Sequence, residues 1–292
     1  MKRLVVTADD AGLHPGMTAG ALAAHDTGIV TAVSVSSNGR AFEDAVARLR
    51  ERPGLDVGIH LTLVGEAPLS PPREVRSLLG RDGRLLPGWP IFARRWLLGR
   101  VRPDHVEAEL RRQIERLLAT GLPIIHANAH QHLHVLPGLF EIVLRLAEEH
   151  RIPWIRIPAE PAAALPVSPR ALQIFLLNAL GRSARRRLHP EGTRAAGRTI
   201  GVLTAGHLTV EALGRAIDQI GGQTGSQAGE VSELVCHPGL GDAALAAEYP
   251  WRYAWDAETA ALCDPRVPDL LRDRGIELVS FSGLNKNPAM SV

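Results

Sequence analysis

Two adjacent carboxylates follow the first apolar run of this 292-residue chain. Asp9 and Asp10 come directly after residues 4–8 and shortly before Gly12. Like charges this close repel each other and lose hydration in a pocket, so a metal ion or a proton must hold the pair together there. An aspartate after a strand is also a common helix cap, and the pair alone leaves both interpretations open.

Histidines supply a second set of candidate ligands. His60 interrupts the apolar run 58–63, where a lone histidine is more often a hydrogen-bonded core residue than a ligand. The stretch 126–134, HANAHQHLH, places four histidines at alternate or near-alternate positions, which packing alone explains poorly. His237 precedes Pro238, which disfavours a helical continuation and holds the ring in a turn. One carboxylate with two imidazoles from separate strands would form a catalytic divalent-metal site with positions left for water and substrate.

The elements that must position these residues alternate along the chain. Short apolar runs, typical of buried parallel strands, are separated by longer stretches with the one-sided spacing of helices. The predicted strands span residues 3–8, 31–35, 56–63, 124–129, 154–157, 233–237 and 277–281. The predicted helices span residues 15–27, 41–52, 103–120, 139–150, 209–220 and 265–274. This alternation indicates parallel pairing with right-handed crossovers.

The predicted fold is therefore an α/β, irregular TIM-like barrel of about seven parallel strands. The carboxyl ends of barrel strands form one catalytic face, so four distant segments should meet there: those of Asp9 and Asp10, His60, His130 and His132, and His237. Residues 68–102 and 161–206 interrupt the alternation and are interpreted as insertions into a single domain spanning residues 1–284. Residues 285–292 are interpreted as a flexible tail.

Composition restricts the class of protein. Hydrophobic residues make up 45% and charged residues 22%, a globular balance rather than a disordered or fibrous one. Two cysteines cannot build a disulfide framework or a thiolate zinc site, whereas twelve histidines are many for this length. A net charge of +2 is too small to indicate nucleic acid as a partner. The first residues lack the apolar core of a signal peptide and no apolar run spans a bilayer, so we expect a cytoplasmic protein, with peripheral contact at the inner membrane face left open.

These motifs together resemble the YdjC family of carbohydrate deacetylases, also called the chitooligosaccharide deacetylase-like family. The matching segments cover nearly the whole chain in order: 5–13 (VVTADDAGL), 58–61 (GIHL), 126–137 (HANAHQHLHVLP), 235–239 (VCHPG) and 278–281 (LVSF). The resemblance implies a divalent-metal-dependent N-deacetylase on an irregular β/α barrel, acting on an acetylated sugar or glycolipid.

The family motifs also imply a role for each residue. Asp10, His60 and His130 correspond to metal ligands, whereas Asp9 corresponds to the base and His237 to the acid opposite it. Asp9 would take a proton from the metal-activated water that attacks the acetamide carbonyl, and His237 would protonate the departing amine. The residues expected to line the pocket and contact substrate are His126, Asn128, His132 and His134. The ligand types suit one divalent ion, either magnesium, zinc, cobalt or nickel.

Two positions depart from the family pattern. Ala11 stands where phenylalanine is often found, and Asn128 stands where an aspartate is common, so a neutral amide could weaken the orientation or basicity of a ligand histidine. The form His-x-Asn-Ala-His is similar to the branch associated with hopanoid biosynthesis, whose members are thought to deacetylate an N-acetylglucosaminyl hopanoid lipid. Aromatic and basic residues in both insertions, as in 92–98 (FARRWLL), suit contact with an anionic bilayer. Taken singly, each feature is better explained by packing on the barrel or by a solvated arginine face.

Two other functions remain open on the sequence. A non-hydrolytic metal barrel, such as a sugar isomerase or epimerase, usually needs several carboxylate ligands or a lysine, and no predicted strand end carries a lysine. A sugar- or lipid-binding protein without catalysis is the second alternative, suggested by Asn128 and by the aromatic insertions. Release of acetate separates hydrolysis from both. A homodimer is the default expectation for the oligomeric state.

Overall fold

The described part of the chain contains eight strands, all paired in parallel within one curled sheet. The computed structural model describes residues 2–160, 169–222 and 230–285. The strands are β1 (Lys2–Ala11), β2 (Ala32–Val35), β3 (Asp56–Leu61), β4 (His126–Ala129), β5 (Trp154–Ile155), β6 (Arg198–Ile200), β7 (Val231–Cys236) and β8 (Ile276–Leu278). They lie in the order β5-β4-β3-β2-β1-β7-β6, and β8 pairs with the first residues of β1. The predicted α/β, TIM-like architecture is confirmed.

Helices connect the strands and cover the outside of the sheet. They are α1 (Pro15–Asp26), α2 (Phe42–Arg50), α3 (Trp89–Leu97), α4 (Pro103–Leu118), α5 (Leu139–Glu149), α6 (Pro169–Arg185), α7 (Val210–Gly221), α8 (Ala243–Glu248), α9 (Trp255–Leu262), α10 (Val267–Asp273) and α11 (Phe281–Asn285). Two short 3-10 helices span Arg76–Leu78 and His130–Val135. No helix of the described residues is long and apolar enough to cross a membrane.

The two ends of the sheet approach each other next to β5. Arg194, just before β6, forms an isolated parallel bridge with Trp154, and the Ile155 amide donates to the Arg194 carbonyl at 2.8 Å. Thr199 Oγ1 donates to the Ile157 carbonyl at 2.9 Å. These contacts close the curled sheet into an irregular barrel, so that residues at inward positions of different strands can meet inside it.

Strand β6 lies within the segment that the sequence predicts to be the second insertion. Its three residues pair with β7, so residues 198–200 belong to the barrel wall and raise the number of strands from seven to eight. Three residues are too few to produce a detectable period-two pattern after an arginine-rich stretch. The predicted strand 277–281 is also shorter than expected, because β8 ends at Leu278 and α11 begins at Phe281.

Helix α11 closes the amino-terminal end of the barrel. Phe281 packs among Val5, Ala32 and Trp154, which point inward from β1, β2 and β5. Asn285, the first residue of the predicted tail, lies in α11 and accepts a hydrogen bond from Trp154 Nε1 at 3.0 Å. The rest of that tail, residues 286–292, falls outside the described residues. These residues fill the amino-terminal end of the barrel, and the polar residues considered next lie toward the carboxyl ends of the strands.

Candidate metal and catalytic site

Strand alternation places the polar residues of the site inside the barrel. Side chains of a strand point alternately to its two faces, so the inward face of each strand carries every second residue. The inward polar residues near the carboxyl ends of the strands are Asp9 of β1, Ser34 of β2, His60 of β3, Asn128 of β4 and Glu233 of β7, with Arg156 just after β5. Hydrogen bonds join all six into one buried network.

Asp10 joins this network because β1 contains a bulge. In a regular strand, Asp9 and Asp10 would point to opposite faces. The register between β1 and β2 shifts between Ala8 and Ala11, and Asp10 has a left-handed φ of 68°. Gly12 follows with a φ of 86°, a conformation that glycine adopts without strain. The bulge turns both carboxylates toward the mouth of the barrel at a backbone cost of about 1–3 kcal/mol.

Asp10, His60 and His130 converge on one point. Asp10 Oδ1 lies 3.1 Å from His60 Nε2 and 3.0 Å from His130 Nδ1, and the two nitrogens are 3.4 Å apart. Donor atoms bound to one ion at the usual bond length of about 2.0–2.2 Å lie about 2.9–3.6 Å from one another. One carboxylate oxygen and two imidazole nitrogens at these separations fit a divalent first-row metal, and the predicted ligands are therefore brought together.

Hydrogen bonding at His60 strengthens the case for a cation. His60 Nδ1 donates to Asn128 Oδ1 at 2.6 Å, which leaves Nε2 with its lone pair facing Asp10 and His130. Burial opposes a charge on His60, but Asp9 and Asp10 outweigh it and raise its pKa. Burial likewise opposes a charge on Asp10 and would raise its pKa. His130 and His60 nevertheless hold the pKa of this carboxyl well below its usual range. Asp10 thus favours a positive charge at His60 Nε2, and a divalent ion bound there through the Nε2 lone pair would supply that charge in place of a proton.

Asn128, which stands where the family commonly has an aspartate, hydrogen-bonds both His60 and Asp9. Its Oδ1 accepts from His60 Nδ1, while its Nδ2 donates to Asp9 Oδ1 at 2.9 Å and to Ser34 Oγ at 3.2 Å. The opposite orientation of the amide would place its oxygen against the Asp9 carboxylate, so the network selects this one. A metal-bound histidine is commonly fixed in this way by a hydrogen bond at its other nitrogen.

Asp9 is clamped by a buried arginine. Arg156 donates through Nη1 to Asp9 Oδ2 and through Nη2 to Asp9 Oδ1, the latter at 2.9 Å, and Ser34 Oγ donates to the same Oδ1 at 2.7 Å. Burial would raise the pKa of Asp9, but Arg156 and His60 lower it far below its usual range. Asp9 is therefore an oriented carboxylate, and its Oδ2 has only Arg156 as a partner among the described residues.

Glu233 balances the remaining charge of Arg156. Its Oε1 accepts from Arg156 Nε at 2.9 Å and Nη2 at 2.8 Å, and also from Thr7 Oγ1 at 2.9 Å. The side chains of Arg156 and Glu233 are each 1% exposed, and that of Asp9 is 3% exposed. Burial lowers the pKa of Arg156, but the two carboxylates outweigh it and the guanidinium stays charged. The interior thus holds one cation between two anions.

His237 lies on the other side of the mouth, at the end of β7. Its backbone amide donates to Glu258 Oε2 at 2.5 Å, and Glu258 Oε1 accepts from the Leu208 amide at 3.0 Å. The ring packs edge-on against Tyr253 at 5.4 Å, and its Nδ1 has no hydrogen-bond partner among the described residues. His237 is close enough to Asp9 to contribute to the lowering of that carboxyl's pKa.

The three remaining histidines of the motif occupy different places. His134 Nε2 donates to the Arg156 carbonyl at 2.7 Å, and burial lowers its pKa to about 4, so a neutral ring fixes the backbone of Arg156. His132 is half-buried and has a left-handed φ of 54°, directly after Gln131 at 55°. Burial, reinforced by Arg156, holds the pKa of His132 well below its usual range. This strained turn lies beside His130, one of the predicted ligands.

His126 is not brought to the mouth. It points inward one layer below Asn128, where its ring packs against Phe281 at 5.0 Å and is 1% exposed. A Cβ at Gly58 would fall 2.3 Å from His126 Nε2, so the ring occupies the space that this glycine leaves. Burial, together with the Arg156 cation, lowers the pKa of His126 to about 3.

Sequence reasoning missed Arg156, Glu233 and Ser34. The available signal was a charged residue inside each of two apolar runs, WIRIP at 154–158 and SELVC at 232–236. A charge in a buried strand requires a partner. Glu233, one partner of Arg156, lies on β7, two strands further along the chain. The aromatic residues of segment 249–255, which border the mouth, were missed as well.

Comparison with known proteins identifies the family of the chain. The family model described as YdjC-like protein matches residues 3–273. A carbohydrate deacetylase of Brevibacillus brevis is 31% identical over 97% of this chain and 99% of its own length. A chitooligosaccharide deacetylase of Serratia marcescens is 29% identical over 97% of this chain and 99% of its own.

A solved structure resembles the whole fold. It is a proposed cellobiose-phosphate cleavage protein from Enterococcus faecalis V583, with a TM-score of 0.76 and 24% identity over 97% of this chain and 98% of that chain. This likeness supports the barrel architecture alone. The match of the family model over residues 3–273 and the full-length similarity to the curated relatives establish that the chain belongs to the YdjC-like family.

Proposed function

We propose that the protein is a metal-dependent carbohydrate N-deacetylase. The observation that carries this proposal is the convergence of Asp10, His60 and His130, with the clamped carboxylate of Asp9 beside them and His237 across the mouth. The full-length relatives named carbohydrate deacetylase support the same reaction class. The reaction hydrolyses the amide bond of an acetylated amino sugar and releases acetate and a free amine.

The donor set would hold one divalent ion. Two imidazole nitrogens and one carboxylate oxygen suit zinc, cobalt or nickel. Magnesium prefers oxygen ligands, so the carboxylate suits it but the two imidazoles suit it less well. When bound, such an ion increases the acidity of water and polarises a carbonyl oxygen. His60 is held for this role by Asn128, and the bulge at Asp10 aims its Oδ1 at both histidines.

Asp9 and His237 would divide the proton transfers. Asp9 accepts a proton from the attacking water through Oδ2, the oxygen with the single described partner. The low pKa of Asp9 makes it a weak base, so this transfer depends on a water whose acidity a bound ion would increase. His237, as imidazolium, donates a proton to the nitrogen of the departing amine, which therefore leaves in neutral form. Arg156 and Glu233 act indirectly: Arg156 fixes the orientation of Asp9, and Glu233 holds Arg156 in place.

The test uses variants that separate metal binding from turnover. Asp10→Ala and His130→Ala should lose both bound metal and acetate release, because each removes one of three donors. Asp9→Asn should keep the metal and lose at least a hundredfold in turnover. Metal content is measured by elemental analysis and acetate by enzymatic assay. Full activity of Asp9→Asn would refute the base assignment, and a changed sugar without acetate would indicate isomerase or epimerase chemistry.

We further propose that the substrate is borne on a membrane, as a hopanoid glycolipid head group would be. Helices α3 and α6 both pack against the 3-10 helix that contains His130. Their outer faces expose large apolar side chains: Trp89, Ile91, Leu97, Leu172, Phe175 and Leu176, together with Leu98 just after α3. Arg94, Arg95 and Arg100 of the first insertion form no ion pair with any described acidic residue. Apolar groups interspersed with unpaired arginines suit an anionic bilayer.

Vesicle binding tests this second step. Leu97→Gln combined with Leu98→Gln should reduce co-sedimentation with vesicles of phosphatidylglycerol and phosphatidylcholine at least threefold, since their side chains are 67% and 59% exposed. The matched control is Leu118→Gln, 37% exposed at the far end of α4. Binding unaffected by the double variant would refute membrane docking. Concentration-dependent light scattering that disappears in the double variant would indicate that this surface joins two copies instead.

A further inference from the structure

The aromatic residues of this chain are unevenly distributed. Both of its tyrosines and two of its five tryptophans fall within the seven residues 249–255, YPWRYAW. They occupy alternate positions, and their rings form a continuous row: Tyr249 to Trp251 at 4.8 Å, Trp251 to Tyr253 at 5.5 Å, and Tyr253 to Trp255 at 5.9 Å. Four of the twelve aromatic residues of the chain thus lie in segment 249–255, which ends at the first residue of α9.

The two ends of this row are anchored in the protein. Trp255 is buried with Leu13, Met17 and Leu245. Tyr249 is buried as well, and its hydroxyl donates to Glu66 Oε1 at 3.2 Å. The loop between them is held in a fixed conformation, with the Ala254 amide bonded to the Gly206 carbonyl at 2.7 Å. The row is therefore positioned by its ends rather than by its middle.

The middle of the row borders the site. The Trp251 ring lies 5.2 Å from the ring of His130, one of the proposed metal ligands. The Tyr253 ring lies 5.4 Å from the ring of His237, the proposed acid. Both aromatic side chains are half-buried, in contrast to the buried Tyr249 and Trp255. Trp251 and Tyr253 therefore extend along the edge of the mouth from one reactive group to the other.

We infer that Trp251 and Tyr253 form the platform on which the pyranose ring of the substrate stacks; this inference rests on the proposed deacetylase function. The C–H face of a pyranose is apolar and packs flat on an aromatic ring, whereas its hydroxyls remain at the edge for hydrogen bonding. A ring stacked here carries its acetamide between His130 and His237, where the amide bond must break. The platform selects a cyclic sugar over an acyclic acetamide.

Glu66 supplies a polar group at the same edge. It is 9% exposed, and its Oε1 accepts a hydrogen bond from Tyr249 at the anchored end of the row. Arg84 Nη2 lies 3.5 Å from Glu66 Oε2. A carboxylate beside an aromatic platform can accept hydrogen bonds from the hydroxyls of the stacked ring.

The test measures binding directly, in the Asp9→Asn background, in which turnover should be at least a hundredfold slower. The probes are N-acetylglucosamine and acyclic N-acetylethanolamine, observed by saturation-transfer NMR and by titration. Trp251→Ala should weaken binding of the sugar about tenfold or more and leave the acyclic probe unaffected, whereas Trp251→Phe should retain most of the affinity. The control is Leu118→Ala, which removes a partly exposed apolar side chain at a distance from the mouth.

The outcomes separate the platform from the reaction. Equal sugar affinity in Trp251→Ala and Leu118→Ala would overturn the platform even if the wild-type protein releases acetate. Selective loss of sugar binding in Trp251→Ala would support the platform even if no acetate is released. Metal content must stay at the wild-type level in Trp251→Ala; loss of metal together with equal weakening of both probes would show that the ring acts through His130 and would overturn stacking.

Discussion

Removal of Arg156 should destabilise the protein far more than removal of a comparable surface arginine. Arg156 donates four hydrogen bonds to Asp9 and Glu233, whose side chains are 3% and 1% exposed. Arg156→Met leaves both carboxylates buried without their cation. Breaking a buried ion pair from one side costs about 3–5 kcal/mol. With a urea m-value of about 3 kcal/mol/M, the unfolding midpoint should fall by about 1–1.7 M.

Arg145 provides the matched control. It also binds a glutamate through both terminal nitrogens, at 2.6 and 2.8 Å from Glu107, but its side chain is 54% exposed. Arg145→Met should therefore cost at most about 1 kcal/mol, because water screens exposed ion pairs. The same chemical substitution at two arginines of different burial isolates the effect of the interior.

Two further measurements test the buried network of Arg156, Asp9 and Glu233. In Arg156→Met combined with Glu233→Gln, one buried charge of each sign is gone, so the double variant should lose less stability than the sum of the single losses, by about 2 kcal/mol or more. The Arg156→Met deficit should also shrink at low pH, because the bared carboxylates have raised pKa values and the folded state then gains protons. Equal effects of Arg156→Met and Arg145→Met, or strict additivity with Glu233→Gln, would contradict the buried network.

Three other predictions concern single residues of the site. Asn128→Asp places a carboxylate beside Asp9, so one of the two takes up a proton. The apparent pKa of the acidic limb of the kcat/KM profile should therefore rise by about one pH unit or more. An unchanged profile would contradict the contact at 2.9 Å. His126 has a pKa of about 3 in the folded protein against an unfolded value of 6.5, so the folded state binds fewer protons between these values and the unfolding free energy should fall on acidification. Urea unfolding should show this loss, up to about 1.4 kcal/mol per pH unit, and His126→Leu should lack that part of the slope. His237→Ala should keep its metal but lose about 10²–10⁴ in turnover, and a fully active variant would remove His237 from the proton path.

The sequence was sufficient to predict that His60 and His130 meet. His60 and His130 lie at inward positions near the carboxyl ends of parallel strands, and period-two alternation with parallel pairing brings such positions to one mouth. Their convergence with Asp10 depends on more than alternation. The bulge that turns Asp10 inward is a backbone event, and a regular strand would have separated it from Asp9.

Charge inside the barrel was not predictable from local pattern. Arg156 and Glu233 each interrupt an apolar run, but their partnership crosses the interior and depends on how the sheet closes. That closure depends on β6, a strand of three residues with no period long enough to detect. The aromatic row at 249–255 was visible in composition, yet only the fold places Trp251 against His130 and Tyr253 against His237.

Hydrolysis in heavy-oxygen water tests the central claim most directly. Purified protein supplied with one divalent metal is incubated with N-acetylated sugars and glycolipids, and the products are weighed by mass spectrometry. Metal-assisted hydrolysis predicts that the sugar loses one acetyl group and that the acetate carries one heavy oxygen from the attacking water. It also predicts that Asp10→Ala gives neither product. A sugar of unchanged mass in every metal condition, or acetate without the heavy oxygen, would contradict it.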